Sequence, residues 1–305
     1  MADIYSAAAQ ALKGRVVAVM NTSSGGWDAA AADQTHAIFH GAGLPDAQIV
    51  LADPSQIEAA LASAIASADV VVVLGGDGTI RTAAEQCGAA GRLILPLPGG
   101  TMNMLPKALY GQRLWREALT DTLADPLIHD VSGGKAGEHA FFVAALLGAP
   151  TLWAEAREAI RAAHPIEAAK RAMAAARRSF SEPLAYQFGD TLRGSAEAVA
   201  VVCPLISKVM REDERSLEAA ALDPVTAGEA VRLGIHALFD DWRDDPKVSR
   251  AKVKRVSVEA RGRVPVILDG ERVRMSRRVV IDFVPVAFRA LVPAGFEAAP
   301  PQPVG

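Results

Sequence analysis

Hydrophobic and polar positions follow one another in blocks along the first part of the chain. A short apolar run ends in a polar turn, and a stretch with helical spacing follows. Residues 15–20 (Arg-Val-Val-Ala-Val-Met) predict a buried strand, Asn21–Gly26 a polar turn, and Trp27 to about Ala42 a helix. Gln48–Leu51 predicts a short strand, and Asp53-Pro54 predicts the start of a helix reaching about Ala66, with proline at an early helical position. Val70–Leu74 and Leu93–Leu97 are apolar throughout, as strands buried on both faces are; helices are expected at Ile80–Ala90 and from Met104. Strands alternating with helices at short intervals predict an α/β fold with a parallel, doubly wound sheet.

Beyond about residue 128 the pattern changes. Strands are expected at Ile128–Val131, Ala140–Leu147, Ala196–Cys203, Val253–Glu259, Val264–Leu268 and Val279–Phe283, with Asp269-Gly270 as a hairpin turn. This predicts a β-rich, sandwich-like second domain. Helical spacing interrupts it over 152–180, divided by Pro165, and again over about Gly228–Asp241. The expected organisation is an α/β domain at 1–127, a β-rich domain at 128–287 and a C-terminal segment at 288–305 with a disordered, proline-rich end.

Composition narrows the class. The chain has 305 residues, 5% aromatics and a net charge of −3, so the core is mostly aliphatic and no global field favours nucleic acid as a partner. Cys87 and Cys203 stand too far apart for zinc spacing and suggest no disulfide framework, which fits a reduced, cytoplasmic setting. The N-terminus lacks the basic and apolar regions of a signal peptide, and no apolar run reaches the roughly 20 residues of a membrane span.

Three strand ends carry glycine-containing polar loops: 21–26, 75–79 and 98–103. In open α/β sheets ligands bind beyond the carboxyl ends of the strands, so three such loops point to one shared nucleotide pocket. Gly75-Gly76-Asp77-Gly78-Thr79 is the sharpest of them. Glycines let backbone N–H groups converge on an anion, and a helix N-terminus adds positive potential. The loop has neither the Gly-Lys-Ser/Thr of a P-loop nor the dinucleotide glycine spacing. Gly75, Gly76 and Gly78 would wrap phosphates; Asp77 would bind the nucleotide; Thr79 would donate to phosphate or simply cap its helix. Asn21, Ser24 and Gly25 would line the nucleotide from a neighbouring loop, and Gly100, Thr101 and Asn103 would close the pocket.

These loops, taken with Asp269-Gly270-Glu271, resemble the diacylglycerol kinase catalytic-domain family, which includes bacterial lipid kinases and sphingosine and ceramide kinases. Asn21-Thr22-Ser23-Ser24-Gly25 matches the family's first loop loosely; Gly75–Thr79, Pro98–Asn103 and Asp269–Glu271 follow in the family's order. The resemblance implies an ATP- and Mg²⁺-dependent kinase that acts on a lipid hydroxyl at a membrane surface, with Gly75, Gly76 and Gly78 around the ATP phosphates and Asp77 on the nucleotide or a hydrated Mg²⁺. It places the protein in the cytoplasm or peripherally on the inner face of the membrane, and a homodimer is among the expected partners. It also implies that the last segment returns to the first domain. Asp269 would be the general base, with Glu271 orienting it or assisting Mg²⁺. Asp-Gly between apolar strands is also an ordinary hairpin turn. Asp213, within the acidic run Glu212-Asp213-Glu214, lies where the family often binds a metal, although the run reads first as a solvated loop. His36 and His40, four apart on a predicted helix, lack the zinc-protease glutamate and read as helix surface. Arg157, Arg161, Lys170, Arg171, Arg177 and Arg178 make the 152–180 segment basic, either as a solvated face or towards lipid headgroups.

The sequence departs from the family at Arg81 and Thr82, where Asn and Glu are usual, at Met104 in place of Asp, and at Leu146–Pro150 in place of Gly-x-Gly-Phe-Asp. Glu85 lies almost a helical turn too far along to replace the missing Glu. Two alternatives stay open beside the lipid kinase: an NAD or polyol kinase of the same superfamily, and a relative that binds nucleotide or lipid without turnover.

Overall fold

The computed structural model describes residues 2–148, 183–207, 209–211, 214–222 and 248–296. The expected helices at 152–180 and 228–241 and the tail beyond 296 lie outside them. The chain divides into two compact units, one of Met1–Ser132 with Pro285–Pro300 and one centred on Gly133–Val284.

The first unit alternates helix and strand: α1 (Ala2–Leu12), β1 (Val16–Asn21), α2 (Ala31–Gly41), β2 (Gln48–Ala52), α3 (Ile57–Ser67), β3 (Val70–Gly75), α4 (Asp77–Ala90), β4 (Leu93–Pro98), α5 (Met104–Tyr110) and α6 (Trp115–Ala124). Its strands run parallel in the order β2-β1-β3-β4. β3 is central and every residue in it is buried, which is why five consecutive apolar side chains are tolerated there. Burying each of those valines contributes about 1.5–3 kcal/mol relative to exposure.

Helix boundaries differ from the sequence expectation where polar side chains compete with the helix. α2 starts at Ala31 rather than Trp27, because Asp28 Oδ1 accepts the Ala30 N–H at 2.9 Å and holds a turn. Regular α3 begins at Ile57, and the turn before it is capped as the sequence predicts: the Asp53 carbonyl accepts the Ile57 N–H at 3.0 Å, and its carboxylate accepts N–H groups from Ser55 and Gln56, together with the Ser55 hydroxyl. Those bonds hold the exposed Asp53 carboxyl below its ordinary value, the Ser55 hydroxyl contributing most. α4 starts earlier than expected, at Asp77, so Asp77, Gly78 and Thr79 form its first turn. It ends at Gly91, whose φ of 67° supplies the left-handed cap.

Residues 285–296 pack with this unit. Arg289 and Ala290 pair in parallel with Leu93 and Ile94, and the buried Tyr110 hydroxyl donates to the Leu291 carbonyl at 2.9 Å. Gly88 permits the approach: a Cβ there would collide with the Ala287 carbonyl oxygen.

The second unit is built from antiparallel strands. β5 (Pro126–Ala136) enters from the first unit and pairs with β6 (His139–Phe141); β7 (Ala144–Gly148), β8 (Leu184–Phe188), β9 (Leu192–Ala196), β10 (Ala198–Val202) and β11 (Leu217–Leu222) follow. The remaining strands are β12 (Ser249–Val253), β13 (Arg255–Glu259), β14 (Pro265–Leu268), β15 (Glu271–Arg274) and β16 (Arg278–Pro293). One sheet runs β12-β11-β10-β7-β14-β15; within this unit a second layer pairs the first half of β16 with β13, then β8 and β9. Val199, Val201, Leu217 and Leu268 of the first sheet share a buried core with Tyr186, Phe188, Val256 and Ile281 of the second. The expected strand Ala140–Leu147 is broken at 142–143, dividing it between β6 and β7. The expected strand Val279–Phe283 extends to Pro293. β8, β9, β11, β12 and β15 were not expected. β11 reads Leu-Glu-Ala-Ala-Ala-Leu, good helix-forming sequence, yet pairing with β10 and β12 and burial of all six residues override that preference.

Candidate functional site

Three loops at the carboxyl ends of β1, β3 and β4 are tied to one another by hydrogen bonds within the first unit. Loop 21–26 meets loop 98–103 where the Gly26 N–H donates to the Gly99 carbonyl at 2.8 Å. Loop 98–103 meets loop 75–79 where the Gly99 N–H donates to the Gly75 carbonyl at 3.1 Å. The triangle closes where Asn21 Nδ2 donates to Thr79 Oγ1 at 3.3 Å. Asn21, Gly75 and Thr79 are thus brought together, by a contact no local sequence pattern specifies.

Glycine is required where these backbones touch. A Cβ on Gly99 would lie 2.9 Å from both the N and the O of Gly75, and one on Gly26 would lie 2.8 Å from Gly99 Cα. A Cβ on Gly100 would lie 2.9 Å from Gly76 Cα. Gly26 and Gly99 were not among the predicted site residues, although each stands in a Gly-Gly pair that was a readable signal.

Asp77 leads α4 and reaches across to the next helix. Its Oδ1 accepts the Met104 N–H at 2.8 Å and its Oδ2 accepts the Asn103 N–H at 3.1 Å. The carboxylate therefore caps α5 from outside, satisfying two amides that the helix leaves unpaired. Asn103 is left-handed (φ 51°) and closes its own loop, accepting from the Gly100 N–H at 2.6 Å and donating to the Gly100 carbonyl at 2.7 Å. Met104 contributes through its backbone, a role its side chain does not reveal.

Ser24 supplies the site's unused donor. Its Oγ is buried and has no hydrogen-bond partner in the protein. A buried hydroxyl without an acceptor is costly, and a phosphate oxygen would satisfy it. The amides of Asp77, Gly78 and Thr79 begin α4, where N–H groups have no partner within the helix and the dipole favours an anion. Thr101 is exposed, Gly25 has open space beside it apart from the Gly99 carbonyl, and Arg81 and Thr82 are half-buried further along α4.

Asp269 lies in the second unit, on the turn between β14 and β15, with φ 49°, and Gly270 follows with φ 88°. Left-handed geometry at both positions is what a two-residue hairpin needs, and Leu268 faces Glu271 across it. The Asp269 side chain is 9% exposed. Its Oδ2 accepts the Phe142 N–H at 2.7 Å, and its Oδ1 accepts the Val143 and Ala144 N–H groups at 2.9 Å each. Those amides belong to the break between β6 and β7, so the carboxylate holds the chain where it changes sheets. Cys203 lies close by: burial, and secondarily the negative charge of Asp269, push its thiol well above the ordinary range. Cys87 is also buried, and its thiol is pushed up to about 12. Glu271 begins β15 and is half-buried. Asp213 lies outside the described residues. Among the described residues no three His, Cys, Asp or Glu side chains gather as a metal cluster, and His36 and His40 are exposed on α2.

Residues 15–141 match the family model for the diacylglycerol kinase catalytic domain. A solved structure described as a putative diacylglycerol kinase from Bacillus anthracis str. Sterne aligns with a TM-score of 0.68 at 17% identity, covering 93% of this chain and 98% of that one. Another from the same organism and similarly described gives 0.67 at 16% identity, covering 92% and 98%; a third, described as a diacylglycerol kinase, gives 0.65 at 15%, covering 92% and 97%. At these identities the likeness establishes the fold, an α/β unit with a parallel sheet followed by a β-rich unit. The family match takes in all three glycine loops and stops before Asp269.

Proposed function

We propose, for a chain whose residues 15–141 match the family model for the diacylglycerol kinase catalytic domain, that it is an ATP-dependent lipid kinase. It would transfer the γ-phosphate to a hydroxyl of a diacylglycerol-like or sphingoid lipid. The observation that carries this reading is the hydrogen-bonded triangle of loops 21–26, 75–79 and 98–103, with the partnerless buried hydroxyl of Ser24 beside it.

Phosphoryl transfer depends on positioning and charge neutralisation more than on covalent help. The α4 amides and the Ser24 hydroxyl would hold phosphate oxygens, and the touching glycine backbones leave no side chain in the way. Mg²⁺ would supply charge neutralisation for the phosphates. It takes few carboxylates from a protein, and Asp77, with one amide on each oxygen, retains lone pairs for that role. Asp269 is the proposed general base for the acceptor hydroxyl. Three amides fix its orientation, and a carboxylate so held can accept a proton. Glu271, two residues along the hairpin, would assist it.

The test is incubation of the purified protein with labelled ATP and a panel of dispersed lipids. A labelled phospholipid is expected from at least one acceptor, and its absence from every acceptor refutes the reading. Asp269→Asn should lose turnover and keep nucleotide binding; a variant that stays active removes Asp269 as the base.

One observation favours a second reading, a nucleotide- or lipid-binding protein without turnover. Both Asp77 and Asp269 already hold backbone amides, so each has a structural task without catalysis. Calorimetry that detects ATP binding, together with no ATP consumption on any acceptor, would select it.

A further inference from the structure

Residues 249–278 hold ten of the chain's 32 Lys and Arg residues against three acids, in a protein whose net charge is −3. Within the second unit this charge is concentrated on two turns, one joining β13 to β14 and one joining β15 to β16. Backbone hydrogen bonds join the turns to each other: the Ala260 N–H donates to the Arg277 carbonyl at 2.9 Å, and the Val264 N–H to the Ser276 carbonyl at 3.2 Å. Strand register brings the flanking positions alongside, with Pro265 opposite Arg274 and Glu259 opposite Arg278. Arg261, Arg263, Arg274, Arg277 and Arg278 are all exposed here. Arg277 is paired with Glu259 at 2.8 Å. Among the described residues, no carboxylate lies within ion-pair distance of the other four.

Four guanidinium groups on adjoining turns repel one another, and exposed charges of this kind add little to stability even when paired. Arginine's planar fork matches phosphate oxygens two at a time. We infer that these two turns are a docking surface for an anionic lipid bilayer, with Arg261, Arg263, Arg274 and Arg278 meeting phosphate headgroups. A bilayer is favoured over a single dissolved anion because the groups stand on exposed turns spread along two connected segments, suited to an array of phosphates. It is favoured over nucleic acid because the proposed acceptor is a membrane lipid. The inference rests on that reading, and its test is independent of turnover.

The experiment is sedimentation of the full chain, without ATP, with phosphatidylcholine vesicles and with vesicles containing phosphatidylglycerol. Binding is expected only to the anionic vesicles and should weaken as salt is raised. Arg261→Ala with Arg263→Ala should lower the partition coefficient roughly thirtyfold, from about 1 kcal/mol per basic residue at an anionic surface. Arg274→Ala with Arg278→Ala should lower it by a similar factor, while ATP affinity stays unchanged in both variants. Equal binding to neutral and anionic vesicles overturns the inference, as does unchanged binding by both double variants. Binding to heparin or DNA without binding to vesicles overturns it in favour of another polyanion. A protein that phosphorylates detergent-dispersed lipid but ignores anionic vesicles refutes this inference alone. One that binds them through these arginines but phosphorylates no lipid supports it and refutes the kinase reading.

Discussion

Asp77, in the first unit, accepts one backbone N–H on each carboxylate oxygen; Asp269, in the second, accepts three, from consecutive residues at a break between strands. Asp77 is half-buried at the lead of a 14-residue helix, whereas Asp269 is 9% exposed on a left-handed hairpin turn. The same side chain therefore does different work. Asp77 caps a helix that water could also solvate. Asp269 serves three amides in a buried place. A carboxylate's local structural burden, more than its motif, decides how much of the fold depends on it.

Removing each acceptor in turn separates the two cases. Asp269→Ala is expected to cost about 3 kcal/mol or more, since each buried N–H left unsatisfied costs roughly 1–3 kcal/mol. Urea unfolding measures it, and a loss under about 1 kcal/mol would show that the 142–144 amides find other partners. Gly99→Ala should cost about 1–3 kcal/mol through forced separation of the Gly75 and Gly99 backbones, and should weaken binding of an ATP analogue. An unchanged dissociation constant would mean that the loop contact does not shape the nucleotide site. Asp77→Ala should cost about 1 kcal/mol, the usual loss on removing a helix cap, and a thermal melt of the variant tests it. Ser24→Ala is the smallest change for the fold: stability should move by less than about 0.5 kcal/mol, because the hydroxyl has no protein partner to lose. Its effect belongs to the ligand, with ATP affinity falling roughly tenfold for one lost charge-assisted hydrogen bond.

Much of the first unit could be read from the pattern of residues. Val70–Leu74 predicted a strand buried on both faces, and it lies at the centre of the parallel sheet. The Asp269-Gly270 hairpin was equally clear, because both residues tolerate positive φ. Helix starts were less clear. The competing bond of Asp28 delays α2, and the first turn of α4 hides inside what reads as a glycine loop. β11 was missed because three alanines speak for helix until strands pair on both sides.

The sequence by itself determined the residue types at each loop, the glycines without side chains and the carboxylates at Asp77 and Asp269, since these follow from local backbone demands. Only the tertiary structure decided their partners. Asn21 meets Thr79, Gly26 meets Gly99, Asp77 reaches the Met104 amide, and Asp269 gathers the amides of 142–144 across 125 or more positions. The reason is physical. A side chain's hydrogen-bonding capacity is fixed by its chemistry, but a backbone amide offers the same donor at every residue other than proline. Which amide it serves is settled only when the chain has folded.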